Sequence, residues 1–349
     1  MEKKSVFTLL FGFCLVLLFV VLPLMSAYSK PNPAEKMVFR YAHVVPEFHA
    51  IQKGALAMAE YVKKESKGSI EIQVFPSRQL GDTRALLEAV NIGTIEMCNA
   101  SVCELALFVP HLDVYSLPFI FSNREVALGA LKSKTIRAKF FPLIEAKGFI
   151  PLGFGSAEPR DITNRLRPVR TPDDLKGMRI RVMEAPIYID AWKQLGAVPV
   201  SLPFGEVYTA LQQGVVDGQE NPIDISAMMK FLEVTKFATA IGYALQTNPI
   251  LVSPPIWKKL TDKQKQIMRE GAAEGERVAW EVGGKSLSEG TKVAEEKYGI
   301  SVVRLTPAEQ KAFVKAVQPV YARCRDRIGP EYFDFFIKEV EKIAKELGY

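Results

Sequence analysis

Two stretches of this chain share one order of elements, and that repetition limits the fold more than any single motif does. From Met37, Met-Val-Phe-Arg-Tyr-Ala-His reads as a strand, and a helical pattern from Ala50 to Ser66 ends at Gly68. Ser69 to Phe75 alternates like a strand, Asp82 opens a helix through Ile92, Gly93 ends it, and Thr94 to Asn99 reads as a third strand. The same order returns later. Gly177 to Met183 reads as a strand, Ile187 to Leu195 as a helix closed by Gly196, and Ala197 to Leu202 as a strand. Gly205 to Gln213 is a helix closed by Gly214, and Val215 to Asp217 begins another strand. Aligning Gly93 with Gly214 sets Glu96 against Asp217 and Ala89-Val90 against Ala210-Leu211. Glycine just past a helix has a backbone reason, because it adopts the left-handed cap without strain. Two βαβαβ units imply two α/β lobes with similar sheets covered by helices. Ligands of such sheets sit beyond the carboxyl ends of the strands, so two facing lobes share one cleft. From Trp257 the chain is mostly helical, with a start at Thr261, a long pattern from Lys263 to Tyr298, and further helices from Pro307 and Pro330. These either brace the two lobes or lie as ordinary surface helices.

The bulk numbers fit this picture. A chain of 349 residues holds two domains of ordinary size. Its 48% hydrophobic and 24% charged content is that of a folded globular protein. The net charge of +6 comes from well-mixed signs with no basic stripe interleaved with aromatics, which argues against a nucleic-acid partner. Lys3 and Lys4 precede an apolar run from Val6 to Met25, followed by Ser26-Ala27-Tyr28-Ser29. That is the plan of a secretory signal, so residues 1–27 are expected to be a signal peptide cut near Ala27. The rival reading is an uncleaved anchor, since the run is about as long as a minimal membrane span. Cys14 follows Phe13 rather than the small residue a lipobox needs. With no second apolar span, the rest of the chain is expected to be soluble in the periplasm. Cys98, Cys103 and Cys324 are too few for a disulfide scaffold, and a Cys98–Cys103 bridge stays open.

His43, His49 and His111 form no HExxH pattern, and the cysteines form no CxxC pair. The chain has no P-loop, no GxGxxG after a strand and no GxSxG elbow. The expectation is a protein without catalysis, cofactor or metal. Asp217, Glu220 and Asp224 cluster in sequence and read either as solvated turn acids or as a metal or acid/base set.

Binding residues are easier to nominate. In Leu175-Lys176-Gly177-Met178-Arg179-Ile180-Arg181-Val182, alternation puts Ile180 and Val182 on one face and Arg179, Arg181 and Met183 on the other. An arginine inside an apolar strand must find an anion or stay in water, and its planar fork suits a carboxylate in two-point contact. An internal salt bridge is the other reading of Arg181. Pro222 biases Asn221 toward an extended strand exit, where its amide can orient an arginine or meet a ligand oxygen. Phe204, just before a helix, lies flat on a ligand or belongs to the core. Arg160 sits in Arg160-Asp161-Ile162-Thr163-Asn164, just after the apolar strand Phe149 to Phe154. Glu184 follows the arginine strand. In the first half, His43, Glu47 and His49 follow the first strand, and Asn99 and Ser101 follow the third. His49 is equally well placed to start a helix.

The run Glu206-Val207-Tyr208-Thr209-Ala210-Leu211-Gln212-Gln213-Gly214-Val215-Val216-Asp217-Gly218-Gln219-Glu220-Asn221-Pro222 is highly specific. Leu-Lys-Gly and Ile-Arg-Val precede it at the expected distance, and Pro76-Ser77-Arg78-Gln79-Leu80-Gly81-Asp82 and Leu117-Pro118-Phe119 lie upstream. Over essentially the whole chain after the signal, the sequence resembles the DctP-type solute-binding proteins of TRAP (tripartite ATP-independent periplasmic) transporters. The resemblance implies a two-lobed periplasmic-binding-protein fold, type II-like, with the ligand cleft between lobes and long helices at the C-terminal end. It implies lobe I from 36–158 plus about 247–286, and lobe II from 159–246 plus about 287–349. It implies that Arg181 binds a substrate carboxylate bidentately, that Asn221 helps hold that arginine and the ligand, and that Arg160 supports the carboxylate. Phe204 matches the family's aromatic before the helix. Glu158-Pro159 departs from the Gly-Phe of many relatives, which affects the geometry at Arg160. The implied partners are a small organic acid and the small and large TRAP membrane subunits, for a monomer that does no chemistry itself. A binding protein for an ATP-driven importer shares the same two-lobe physics. Phe204, Met183 and Trp192 leave room for an apolar or aromatic acid, and a short hydroxy or keto acid fits equally well.

Overall fold

A computed structural model describes residues 36–349; the expected signal peptide lies outside them. Strands β1 (Met37–Ala42), β2 (Ile70–Phe75) and β3 (Met97–Asn99) are linked by the helices Ala50–Glu65 and Thr83–Ile92. After β4 (Ile150–Pro159) and β5 (Asp161–Asn164), strands β6 (Arg179–Val182), β7 (Val198–Ser201) and β8 (Gly218–Asn221) are linked by the helices Pro186–Gln194 and Val207–Gln212. The later strands are β9 (Phe237–Ala240), β10 (Leu245–Val252) and β11 (Val302–Arg304). They form two sheets, ordered β2-β1-β3-β10-β4 and β11-β9-β5-β8-β6-β7.

The half-repeat read from sequence is a repeat of topology. In each sheet the first strand of the βαβαβ run stands in the middle, as β2-β1-β3 and as β7-β6-β8. The neighbours β1–β3, β6–β7 and β6–β8 are parallel, and an antiparallel strand follows in each sheet, β10 against β3 and β5 against β8. Gly93 and Gly214 close matching helices in the left-handed conformation, with φ of 88° and 69°. The third strands start later than the alternation suggests, at Met97 and Gly218, and the residues just before them, Glu96 and Asp217, hold arginines of the neighbouring strands. Arg40 donates to Glu96 at 2.8 Å, and Arg179 donates to Asp217 at 2.7 Å. Cys98, Cys103 and Cys324 are buried free thiols, so the bridge left open between the first two is not formed.

β5 and β10 are exchanged between the halves, so the chain crosses from sheet to sheet twice among the strands. One crossing is the single residue Arg160 between β4 and β5, and the other is 241–244 between β9 and β10. The crossings are tied together. The Arg160 amide donates to the Ala244 carbonyl at 2.9 Å, and the Tyr243 amide donates to the Arg160 carbonyl at 3.3 Å.

The helix Asp262–Glu296 makes a third connection. Thr261 and Gln264 form a capping box at its start, and its 35 residues span about 50 Å. Its first part lies on the helix Ala50–Glu65 and on β4, and its last part reaches the helix Ile223–Met228 and β11. It therefore braces both lobes. Close approach is possible because the contact is glycine on glycine: a Cβ at Gly54 would lie 2.5 Å from the Gly275 carbonyl oxygen, and one at Gly275 would lie 2.9 Å from that of Gly54. Near the other end, a Cβ at Gly290 would lie 2.6 Å from the Asp224 Cα.

The stretch 287–349 makes contacts to both sheets' surroundings. Val302–Arg304 joins the second sheet, whereas the helix Pro330–Glu346 packs Phe336 against Tyr115 and Phe140 of the first lobe, at 4.6 and 5.6 Å between rings. The apolar face of that helix finds its aromatic partners there. The helix Gln318–Ile328 touches both sides, pairing Arg327 with Asp113 at 2.6 Å and Arg323 with Asp190 at 2.8 Å.

Replacing Gly54 with alanine is expected to destabilise the protein by about 1–3 kcal/mol, because the added methyl meets backbone that has no rotamer to yield. Alanine's better helix propensity, about 1 kcal/mol, works the other way. Urea unfolding measures the sum, a loss of up to about 2 kcal/mol, and a raised midpoint would show that the two helices are not in backbone contact.

Candidate functional site

Between the sheets lies a cavity with about 50 Å³ of free space, room for roughly 3–5 waters. The first half contributes Val44, Val45, His49, Ile51, Thr83, Ser101, Glu104, Glu158, Gln246 and Asn248. The second contributes Arg181, Met183, Phe204, Asn221, Pro222 and Ile225, and Arg160 enters from the crossing. Val45 and Ile51 pack on Ile225, with Phe204 and Met229 beside them, and Arg84 faces Glu184 across the rim at 3.7 Å. The lobes are thus closed on one another.

Arg181 reaches the cavity because the alternation of β6 turns it opposite to Ile180 and Val182. It is 1% exposed. Its Nε and Nη2 both donate to the Leu202 carbonyl, at 2.9 and 2.6 Å, and its buried Nη1 has no partner among the described residues. Burial pushes its pKa below the ordinary value, and the carboxylates of Glu220 and Glu104 work against that push. A guanidinium keeps its proton in a protein, so this is a desolvated cation with an unused N–H donor.

Arg160 is different. Its Nε meets the Glu220 carboxylate, one Nη donates to the Gln246 side chain, and the other donates to the Glu220 carbonyl at 2.5 Å and to Asn221 Oδ1 at 3.2 Å. Tyr243 also donates to Glu220, at 2.7 Å. Burial opposes the Arg160 charge, but Glu220 beside it holds the pKa above the ordinary value. Asn221 therefore orients Arg160 and not Arg181, and its own amide donates to Gln219 at 2.5 Å.

Two acids line the same space. Glu104 sits on the short helix Val102–Leu105 after β3, and burial pushes its carboxyl up to about 7, with Arg181 and Thr83 countering. Glu158, near the end of β4, is 1% exposed, and the long helix makes room for it at Gly283, where a Cβ would lie 2.4 Å from its carboxylate.

Of the residues nominated from sequence, the cavity gathers Arg160, Arg181, Met183, Phe204, Asn221, His49 and Ser101. Phe204 also stands edge-on to Phe231 at 6.0 Å, so it serves core and cavity together. His49 Nδ1 accepts from the Ile51 amide at 3.2 Å, capping the helix as its position allows. Four candidates are not on the lining. His43 is buried against Gln52 at 2.7 Å, and burial pushes its pKa down to about 4. Asn99 donates to the Asn248 carbonyl at 3.0 Å, Glu47 is exposed, and Glu184 sits at the rim with Arg84. Trp192 is in the core, edge-on to Tyr243 at 5.0 Å. The acids Asp217, Glu220 and Asp224 separate: Asp217 takes Arg179 and Arg165, Glu220 takes Arg160, and Asp224 accepts from Ser286 at 2.6 Å. Sequence reasoning missed Glu104, Gln246 and Asn248. Glu104 lies one helical turn past the strand end that nominated Ser101. Gln246 and Asn248 stand on β10, which enters the first sheet antiparallel from outside its βαβαβ unit.

The chain resembles known proteins in both sequence and shape. A solute-binding protein of Verminephrobacter eiseniae is 32% identical over 78% of this chain and 80% of its own length. The C4-dicarboxylate-binding periplasmic protein DctP of Rhodobacter capsulatus is 29% identical over 87% of this chain and 91% of its own. A crystal structure of a TRAP periplasmic solute-binding protein from Polaromonas sp. JS666, bound to D-erythronate, superposes with a TM-score of 0.82 at 29% identity, covering 86% of this chain and 98% of that one. The DctP family model, bacterial extracellular solute-binding protein family 7, matches residues 41–327, and with that span the chain belongs to this family.

Proposed function

We propose that the protein captures a small organic carboxylate between its lobes and hands it to the small and large membrane subunits of a TRAP transporter, which move it on an ion gradient. The observation that carries this reading is Arg181, a buried cation lining the cavity between the sheets with its Nη1 amino group unused among the described residues. A carboxylate meeting that group from the cavity restores the hydrogen bond and the counter-charge at once. Arg160 lies beside it with its guanidinium already fixed, so it shapes the site and lends its charge at second hand. In this reading the unit of 36–158 with about 247–286 moves against 159–246 with the strand Val302–Arg304. The rotation centres on the two strand crossings, and the protein captures and presents without turning anything over. The relatives that bind D-erythronate and C4-dicarboxylates support an acid as the solute.

Arg181→Ala is expected to weaken carboxylate binding by about 100-fold or more, since an ion pair broken in a desolvated site costs about 3–5 kcal/mol. The fold itself should hold, because the substitution removes a buried charge. A thermal-shift screen of organic acids against wild type and variant reads this as a ligand-induced rise present in one and absent from the other. Near-wild-type binding in the variant would overturn the site.

Glu104 sets a pH signature for the empty protein. Its folded pKa of about 7 lies above the unfolded value, so its contribution to stability is complete below about pH 4 and is lost as pH rises to 7. Glu104→Gln removes that loss. The unfolding free energy of the variant, read by urea titration, should therefore gain on wild type between pH 5 and pH 7, by an amount on the order of 3 kcal/mol, and hold level above. Parallel curves would place Glu104 in water.

A further inference from the structure

The cavity between the sheets has a size, and the size bounds what it can hold. We infer that it takes acids of about three or four carbons and turns away six-carbon sugar acids and longer chains. Val45, Ile51 and Ile225 are the residues that set this limit. The inference deepens the proposed function and rests on the reading of Arg181 as the carboxylate site.

The free space of about 50 Å³ holds a few waters, equivalent to roughly 90–150 Å³ of liquid. A three- or four-carbon acid displaces about that much, and a six-carbon sugar acid needs on the order of half as much again. Part of the wall is apolar and shared between the lobes. Val45 and Ile51 of the first lobe and Ile225 of the second line the cavity, are buried, and form one apolar cluster. Their backbones are held on both sides. Ile51 stands in the first turn of the helix Ala50–Glu65, where its amide donates to the capping His49 at 3.2 Å. Ile225 follows Asp224, whose carboxylate accepts from Ser286 and whose backbone is met closely by Gly290. Phe204 packs on the same cluster and has Phe231 edge-on to it at 6.0 Å. An acid too large for the space must hold Val45 and Ile51 away from Ile225, whichever way its tail points. It then leaves wet the apolar surface that closure would bury, and loses the favourable free energy of that burial.

The test uses two series in which the head stays constant and the tail grows: 2-oxo acids from pyruvate to 2-oxooctanoate, and aldonates from glycerate through erythronate to galactonate. The first series has an apolar tail and the second a polar one. Calorimetric titration reads affinity along each. In wild type, affinity should peak at about three or four carbons and fall about tenfold or more for each carbon past the limit. Ile225→Ala and Ile51→Ala cut the wall back, and the peak should move to longer acids. Ile51→Val makes a smaller cut in the same direction and reads the shift if the alanine variants fail to fold. Val45→Leu adds to the wall and should move the peak to shorter acids. A six-carbon acid bound by wild type as tightly as its three-carbon homologue would overturn the limit and leave the carboxylate site standing. A peak that stayed in place in every folded variant would take the limit away from these residues. If no acid of either series bound, the reading of Arg181 would fall, and this inference with it.

Discussion

A guanidinium held out of water where two sheets exchange strands has to be neutralised inside the protein, and Glu220 does this for Arg160. The pair sits at the one residue that separates β4 from β5, and its backbone is tied to the other crossing through Ala244 and Tyr243. Asn221, Gln246 and Tyr243 complete the shell. Elements from both sheets therefore converge on one ion pair. A buried pair of this kind is weak evidence for stability, because desolvation offsets much of the attraction. What it supplies here is geometry: the end of β8 that carries Asn221 and the start of β10 that carries Gln246 are pinned to the same guanidinium, and the wall of the cavity is set with them.

Against this fixed arginine stands a second one with capacity left over. Arg181 is anchored on one side by the Leu202 carbonyl and open on the other. The contrast between a satisfied and an unsatisfied guanidinium, both buried, distinguishes scaffold from binding group more sharply than charge does.

The repeat was readable because it rests on local rules: alternation in strands, helical periodicity, and glycine caps such as Gly93 and Gly214. The arginine of β6 was readable because a charge in an apolar strand demands an explanation. Long-range pairing was not. Nothing local tells Arg160 that Glu220, sixty residues on, will take its charge, nor that Asn221 will turn to Arg160 rather than to Arg181. The packing of the C-terminal helices was not legible for a related reason, since an amphipathic face such as that of Pro330–Glu346 says that it packs but not on what. One signal lay in plain view. Gly271, Gly275, Ala279 and Gly283 recur every four residues along one helix face, which is the pattern of a close backbone contact.

That stripe gives the long helix unequal ends. Glycine contacts clamp its first two-thirds to the first lobe, while the remainder touches the second lobe at Gly290, against the backbone of Asp224. A rod clamped along most of its length and pinned near its tip behaves as a leaf spring. Any rocking of the lobes therefore has to bend this helix in the short span beyond Gly283, alongside the ion pairs that the helix Gln318–Ile328 makes to both sides.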